Sequence, residues 1–83
     1  MKIRRIDLDD DEAPETVTVE LSHDEAVFLA LFLGKQNGIE EEEVMRGGSV
    51  LGAGIYGALT GGVFNRFYED GVDGAAKAAR TRS

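Results

Sequence analysis

Two short segments near the start of the chain alternate hydrophobic and polar residues, the pattern of a strand with one buried face. Residues 16–21 are the clearer case, because Val17, Val19 and Leu21 alternate with threonine and glutamate. Residues 2–8 form a second candidate strand with basic residues interleaved. The acidic, proline-containing connection between the two segments is too polar to pack and suits a wide loop. We therefore predict an N-terminal β-hairpin in which one face of the second strand is buried.

A helix is predicted directly after the hairpin. Ser22 and Glu25 have the spacing of a capping box, in which each side chain satisfies a backbone donor of the first turn. Residues 26–33 are apolar on every side, so this helix needs cover on more than one face. A chain of 83 residues offers little material for that cover. Either the hairpin and the second helix cover this helix as the central layer of the domain, or a second copy of the chain covers it, which is the arrangement that we predict. Asn37-Gly38 is predicted to end the helix.

Helical spacing returns in a glycine-rich segment at residues 50–59. Its large apolar residues fall near one side of a helical wheel, while each internal glycine lowers helix propensity by about 1 kcal/mol relative to alanine. Such a helix needs tertiary support, and its small residues favour close packing. Residues 63–69 fit a helix and a strand equally well. The alanine- and arginine-rich segment from Gly71 is expected to be flexible.

These elements predict an α+β fold, with an N-terminal β-hairpin packed on two or three short helices and assembled as a homo-oligomer. Residues 1–70 are predicted to form one small domain, and residues 71–83 a flexible C-terminal tail.

Charge is distributed unevenly along this acidic chain. The formal net charge is −7. Residues 1–43 carry thirteen carboxylates and four basic side chains, whereas residues 44–83 carry three carboxylates and five basic side chains. A field of this sign repels DNA and anionic membranes and favours basic partners. Direct DNA binding is therefore not expected, and any site for an anion must be local.

Two further features of the composition indicate the setting of the protein. The chain contains no cysteine, which excludes a disulfide framework and a thiolate metal site. The uncharged run from Gly47 to Asn65 has almost the length of a membrane span, but seven of its residues are glycine, and a span needs denser apolar character. We expect a cytoplasmic protein that does not associate with membranes.

Two patterns that suggest catalysis or cofactor binding lack the context that such functions need. Gly52–Gly57 matches the dinucleotide motif G-x-G-x-x-G, but no βαβ unit surrounds it. His23 is the only histidine, and a helix cap explains both it and Ser22. We therefore expect no enzymatic activity and no cofactor.

An acidic series in the hairpin has part of the pattern of a calcium-binding loop. Asp7, Asp9 and Asp11 hold the first three ligand positions, but Glu12 and Thr18 stand where the loop requires glycine and a bidentate glutamate. The series is therefore interpreted as a solvated loop, and no metal site is predicted.

The segment Arg46-Gly47-Gly48-Ser49 is the best candidate ligand site. Free amides of a glycine-rich turn at the start of a helix form an anion site, and an arginine adds a planar fork of donors. Arg66 lies among three aromatic residues and would add charge and a stacking surface for a base. Together with Tyr56, these residues are predicted to bind a small anionic nucleotide. The alternative is an ordinary capped loop beside an aromatic core.

The run from Glu40 to Glu43 is the second candidate site. Four successive carboxylates usually form a solvated helix face or turn. They would also dock in a basic groove of a partner protein, so these residues are predicted to be a protein-interaction site.

Residues 16–60 resemble small accessory proteins of tailed phages, of the host-takeover or anti-defence type. The resemblance is carried by the segment Thr16–Ala26, by Leu29, Leu33, Gly34 and Gly38, and by the segments Ser49–Leu51 and Ile55–Leu59. In that group a strand leads through a capped helix to a second short helix.

The resemblance implies a binding protein rather than an enzyme. The leading hypothesis is a sponge that sequesters a phosphorylated or cyclic nucleotide immune signal at a subunit interface. The alternatives are an acidic inhibitor that occludes the basic nucleic-acid groove of a host enzyme, and a small structural or regulatory subunit.

Overall fold

A β-hairpin precedes a set of short helices in the computed structural model, which describes residues 1–82 apart from the side chain of Arg82. The strands are β1 (Lys2–Leu8) and β2 (Pro14–Glu20). The helical elements are α1 (His23–Gly34), α2 (Gly38–Val44), α3 (Gly48–Leu59), a π-helical turn (Thr60–Phe64), α4 (Asn65–Phe67) and α5 (Val72–Arg82). The predicted α+β class is confirmed, and residues 63–67 are helical.

The apolar and the polar side chains of the hairpin lie on opposite faces. Its antiparallel register pairs Ile3 with Val19, Ile6 with Val17 and Leu8 with Pro14, while the residues paired between them are polar. Irregularities after Ile3 and after Asp7 each add a residue to one strand. Because of these two bulges, apolar residues at uneven sequence spacing share one side. We call this side the hairpin face: Ile3, Ile6, Leu8, Val17 and Val19.

The hairpin face is not covered by the helices of the same chain. Its five side chains are 41–55% exposed, and neither strand makes extensive contact with any described helix. The expectation that one face of β2 is buried is therefore wrong for the single chain. The physical reason is the connection: only Leu21 and Ser22 separate β2 from α1, and the hairpin projects from the start of that helix.

The loop of the hairpin is closed by Asp9. Its Oδ1 atom accepts hydrogen bonds from the backbone N–H groups of Asp11 (2.9 Å) and Ala13 (3.0 Å). Glu12 adopts the left-handed conformation with φ 62°. Asp9 thus serves as a turn-forming residue of the kind that aspartate provides in short loops.

Helix α1 begins as the sequence predicts and ends earlier. Ser22 Oγ accepts from Glu25 N (3.1 Å) and Glu25 Oε1 accepts from Ser22 N (2.9 Å), which confirms the capping box. The helix ends at Gly34, so the expected stop at Asn37-Gly38 is wrong. Asn37 instead caps α2, because its Oδ1 atom accepts from Glu40 N at 2.8 Å.

The last helix corrects the prediction of a flexible tail. Gly71 has φ +60°, a left-handed conformation that turns the chain back toward α1. Helix α5 then packs against α1, and two of its alanines are almost inaccessible to solvent. Alanine stretches are compatible with close helix–helix packing, so this segment contributes to the core. Ser83, the last residue of the predicted tail, lies outside the described residues.

The core of the single chain is small. It lies where α1, α5 and the π-helical turn meet, and most of its members have small side chains. Phe64 is the only large side chain in it that is fully buried. The buried apolar residues are Ala26, Val27, Ala30, Phe64, Ala75 and Ala76.

Candidate functional site

At the start of α3, where an anion site is predicted, the protein's own Glu42 accepts the hydrogen bonds. Glu42 Oε1 accepts from Gly47 N (3.1 Å), and Oε2 accepts from both the amide and the hydroxyl of Ser49 (2.8 Å each). These hydrogen bonds lower the pKa of Glu42 below its ordinary value, with the Ser49 amide as the largest cause. The amides expected to be free are therefore already occupied. Glu42 is not recognisable from the sequence as the occupant of these amides, because nothing in the run of four carboxylates distinguishes it.

Close packing of α2 on α3 brings Glu42 to this position. A Cβ atom built on Gly48 would overlap the backbone carbonyl of Glu41, so glycine is required there for the two helices to approach. Further along α3, a carboxylate oxygen of Glu41 occupies the space that a side chain at Gly52 would fill. The predicted ligand residue Gly48 is thus explained by packing.

The other predicted ligand residues are not brought together within one chain. Arg46 lies exposed before α3, and Arg66 lies beyond the π-helical turn, with its guanidinium 5.8 Å from the ring centroid of Phe67. At 1.5 Å per residue, the helical path between them is about 25–30 Å long. Tyr56 lies midway and packs against Gly34 and the core. Within the single chain, these three side chains do not converge on one ligand.

A depression of about 790 Å³ adjoins Ser49, and its lining disfavours an anion. Glu42 and Glu43 both border it, so a phosphate placed there would face two carboxylates. This charge arrangement weakens the case for a nucleotide at the predicted site.

The four predicted interaction carboxylates have different environments. Glu40 belongs to the N-terminal cap of α2, where Asn37 Nδ2 donates to its Oε1 atom (2.7 Å). Glu41 packs along Gly52 and Glu42 caps α3, as described above. Glu43 is exposed. Most of this acidic run therefore stabilises α2 and α3 rather than forming a uniform docking surface.

A second concave surface of the helices is an apolar groove. It encloses about 370 Å³ between the end of α1, α2 and α3, and only Gln36 and Glu41 contribute polar side chains to its lining. We call it the helical groove and define it by its large apolar side chains, most of which are exposed to solvent: Phe32, Leu33, Val44, Met45, Leu51 and Ile55.

No protein-family model, curated protein or solved structure was found to match the chain. Its function is therefore inferred from its own surfaces. Among residues 1–82, no helix is long and apolar enough to cross a membrane. Within the same residues, no group of three or more histidine or carboxylate side chains is placed to hold a metal ion.

A hydrogen-bonded chain of side chains links the start of α1 to the end of α4. His23 Nδ1 lies 2.8 Å from Asp24 Oδ1, and His23 Nε2 lies 2.6 Å from the hydroxyl of Tyr68. The ring also meets Phe64 edge-on, with centroids 6.2 Å apart. His23 thus connects α1 to the buried aromatic residue of the core, a role that the sequence does not reveal because Tyr68 is 45 residues away.

Removing the Tyr68 hydroxyl tests this connection. We expect Tyr68→Phe to lower the free energy of unfolding by about 1 kcal/mol, because a half-buried hydrogen bond is lost. Chemical denaturation followed by circular dichroism measures the change. Tyr56→Phe is the matched control, because the Tyr56 hydroxyl makes none of the hydrogen bonds found in the described chain. Equal effects of the two substitutions would show that the His23 bond does not contribute.

The lowered pKa values of two carboxyl groups lead to a prediction of how the stability of the fold depends on pH. The N-terminal ammonium of Met1 and the backbone N–H of Ser22 lower the pKa of Glu25 to about 2, and the pKa of Glu42 is lowered by the α3 cap. Groups with a depressed pKa in the folded state stabilise the fold above their ordinary pKa, and this contribution is lost as the pH falls through the folded value. We therefore expect the midpoint temperature of thermal unfolding to decrease as the pH is lowered from about 4.5 to about 2.

Glu42→Gln separates the two contributions to this acid sensitivity. It removes one titrating group, so the midpoint should fall less steeply with decreasing pH than in the wild type. Glu43→Gln is the control, because the neighbouring Glu43 makes none of the three cap bonds. Identical pH profiles for wild type and Glu42→Gln would refute a role for the cap.

Proposed function

We propose that this chain is a small non-catalytic binding protein that works through protein–protein contacts and assembles as a homo-oligomer. The observation that carries the proposal is the exposed surface. The chain has an accessible area of 6393 Å². A folded monomer of 8.9 kDa is expected to expose about 4,800 Å². The difference is about 1,600 Å² per chain.

The shape of the chain supports the same proposal. Its radius of gyration is 14.7 Å. About 12 Å is typical of a compact domain of this length. Many large apolar side chains are at least 40% exposed, and those grouped on the hairpin face and in the helical groove are characteristic of interaction surfaces rather than of isolated exposed side chains.

A standard protein–protein interface covers about 800 Å² on each partner, and obligate homodimers cover more. The additional area is therefore sufficient for a permanent interface. Helix α3 lies within the uncharged run from Gly47 to Asn65. Two acidic chains can therefore approach each other at this helix with less repulsion between like charges.

Light scattering coupled to size-exclusion chromatography tests the proposal. We expect an oligomeric mass at micromolar concentration, and a thermal midpoint that rises with protein concentration because association stabilises the folded state. A monomer whose midpoint is independent of concentration would overturn homo-oligomerisation.

An acidic surface directed at a basic partner is the second candidate, and the hairpin loop favours it. Asp9, Asp10, Asp11 and Glu12 are all exposed at the tip of the hairpin. Asp10→Lys with Asp11→Lys should abolish capture of a basic nucleic-acid-binding protein, and unchanged capture would count against this function. Glu41 and Glu42 are unsuitable for this test because they pack on or cap α3.

The nucleotide-sponge hypothesis and the phage resemblance stay predictions. Calorimetry with cyclic and ADP-ribose-type nucleotides tests the sponge directly. Binding by the wild type that Arg46→Ala abolishes would support it, whereas no heat from any of these nucleotides would count against it.

A further inference from the structure

The chain carries two large apolar surfaces that its own fold leaves uncovered. The hairpin face is one, and the helical groove is the other. Neither surface has a covering layer, and the consequence differs between the two. A two-stranded sheet is marginally stable in water unless another layer covers its apolar face, and a groove lined by aliphatic and aromatic side chains exposes them to solvent.

The geometry of the connection keeps the two surfaces of one chain apart. The hairpin joins α1 at its first turn, where the capping box fixes the chain direction. The helical groove begins at Phe32, near the other end of α1. Phe32 lies nine residues after His23, which separates the two surfaces by about 14 Å along the helix axis. A second chain has no such restriction.

The available area also favours a double contact. One standard interface would use about 800 Å² on each chain, half of the roughly 1,600 Å² by which the exposed surface exceeds that of a compact monomer. Two equivalent contacts related by a two-fold axis would use all of it. Such an arrangement covers both surfaces in both chains with one symmetry operation.

Like charges disfavour one alternative arrangement. Two hairpins stacked tip to tip would bring together the carboxylates of residues 9–12 of both copies, whereas the helical groove has a border of mixed charge, with Glu41 and Glu43 as well as Lys35 and Arg46 in or next to its lining in sequence.

We propose that two copies of this chain dock reciprocally, with the hairpin face of each seated in the helical groove of the other. The proposal rests on the homo-oligomerisation proposed above and names the surfaces that form it. The hairpin then gains the apolar layer that it lacks within its own chain, and the groove gains an occupant of matching chemistry.

Complementation between two variants tests the reciprocal contact. The hairpin variant is Ile6→Thr with Val17→Thr, because threonine retains strand propensity while removing apolar surface. The groove variant is Leu51→Gln with Ile55→Gln, because glutamine is a good helix former. All four positions are at least 45% exposed, so each chain should still fold, which circular dichroism verifies.

We expect each variant alone to be monomeric at a concentration at which the wild type is dimeric. Mixing them should restore a one-to-one heterodimer, because the intact hairpin of the groove variant fits the intact groove of the hairpin variant. Val50→Gln, 75% exposed on α3 and not part of the groove lining, is the control and should leave the dimer intact.

Other outcomes separate the two proposals. A groove variant that dimerises like the wild type would overturn hairpin-in-groove docking and leave homo-oligomerisation intact, as would a mixture that stays monomeric. A monomeric wild type would overturn both.

Cross-linking gives a second measurement that does not depend on the variants remaining monomeric. The chain has no native cysteine, so the single substitutions Ile6→Cys and Leu51→Cys each introduce one thiol. On mild oxidation of the mixture, reciprocal docking favours a disulfide between the two different variants. Preferential linkage of Ile6→Cys chains to each other would instead indicate hairpin-on-hairpin pairing and overturn the proposal.

Discussion

Phe64→Ala is expected to unfold the helical part of the protein at ambient temperature or to leave it barely stable. Phe64 is the largest fully buried side chain, and the other core members are alanines and one valine. Truncating a buried phenylalanine costs about 3–5 kcal/mol. Domains of this length have a total stability of about 4–12 kcal/mol, so one substitution removes a large share.

Phe67→Ala is the matched control for this prediction. Phe67 lies three residues further along the same helical path and is 74% exposed. Its truncation should change the free energy of unfolding by less than about 1 kcal/mol, because surface substitutions usually have small effects. Denaturation curves of both variants measure the difference. If Phe67→Ala proves as destabilising as Phe64→Ala, the position of the core is wrong or an interface covers Phe67.

Gly48→Ala is expected to have the second largest effect, a loss of about 1–3 kcal/mol. The added methyl group would overlap the carbonyl oxygen of Glu41, and backbone atoms cannot move aside as a flexible side chain can. Separating α2 from α3 would also break the hydrogen bonds of Glu42 to Gly47 and Ser49. Thermal unfolding and the acid sensitivity of the variant should therefore change together.

Gly54→Ala, in the same helix, is expected to have the opposite effect on stability. Apart from its chain neighbours and the backbone of its own helix, no described part of the chain lies within 4 Å of a Cβ built on Gly54, so alanine should raise helix propensity and stabilise the single chain by about 0.5–1 kcal/mol. If Gly48→Ala is also stabilising, α2 does not pack on α3 as described here.

Local signals in the sequence were sufficient to predict several elements. The capping box at Ser22 and Glu25 and the alternation before it are short-range patterns, and each depends on residues within a few positions of one another. The helix start and the second strand follow from them directly. The glycine and serine residues at the start of α3 also indicate backbone donors for an anionic group, and in the structure the carboxylate of Glu42 accepts from them.

Features that depend on distant residues were not predictable in the same way. The occupant of the α3 cap, Glu42, is one of four identical residues, and only the packing of α2 selects it. Helix α5 has a polar, alanine-rich sequence in which Val72 is the one large apolar residue, and its core role depends on contact with α1. The apolar side of β1 was obscured because a bulge after Ile3 shifts the alternation by one residue.

The π-helical turn determines in which direction around the helix axis the side chains after α3 point. Asn65 N–H donates to the carbonyl of Thr60, five residues earlier, so this turn accommodates one residue more than a regular α-helical turn. In an α-helix each residue advances the side-chain direction by about 100°. If both glycines stayed and the turn became regular α-helix, the extra residue would rotate the downstream side chains by about that angle and turn Phe64 away from the core. The wider turn therefore keeps Phe64 facing the interior.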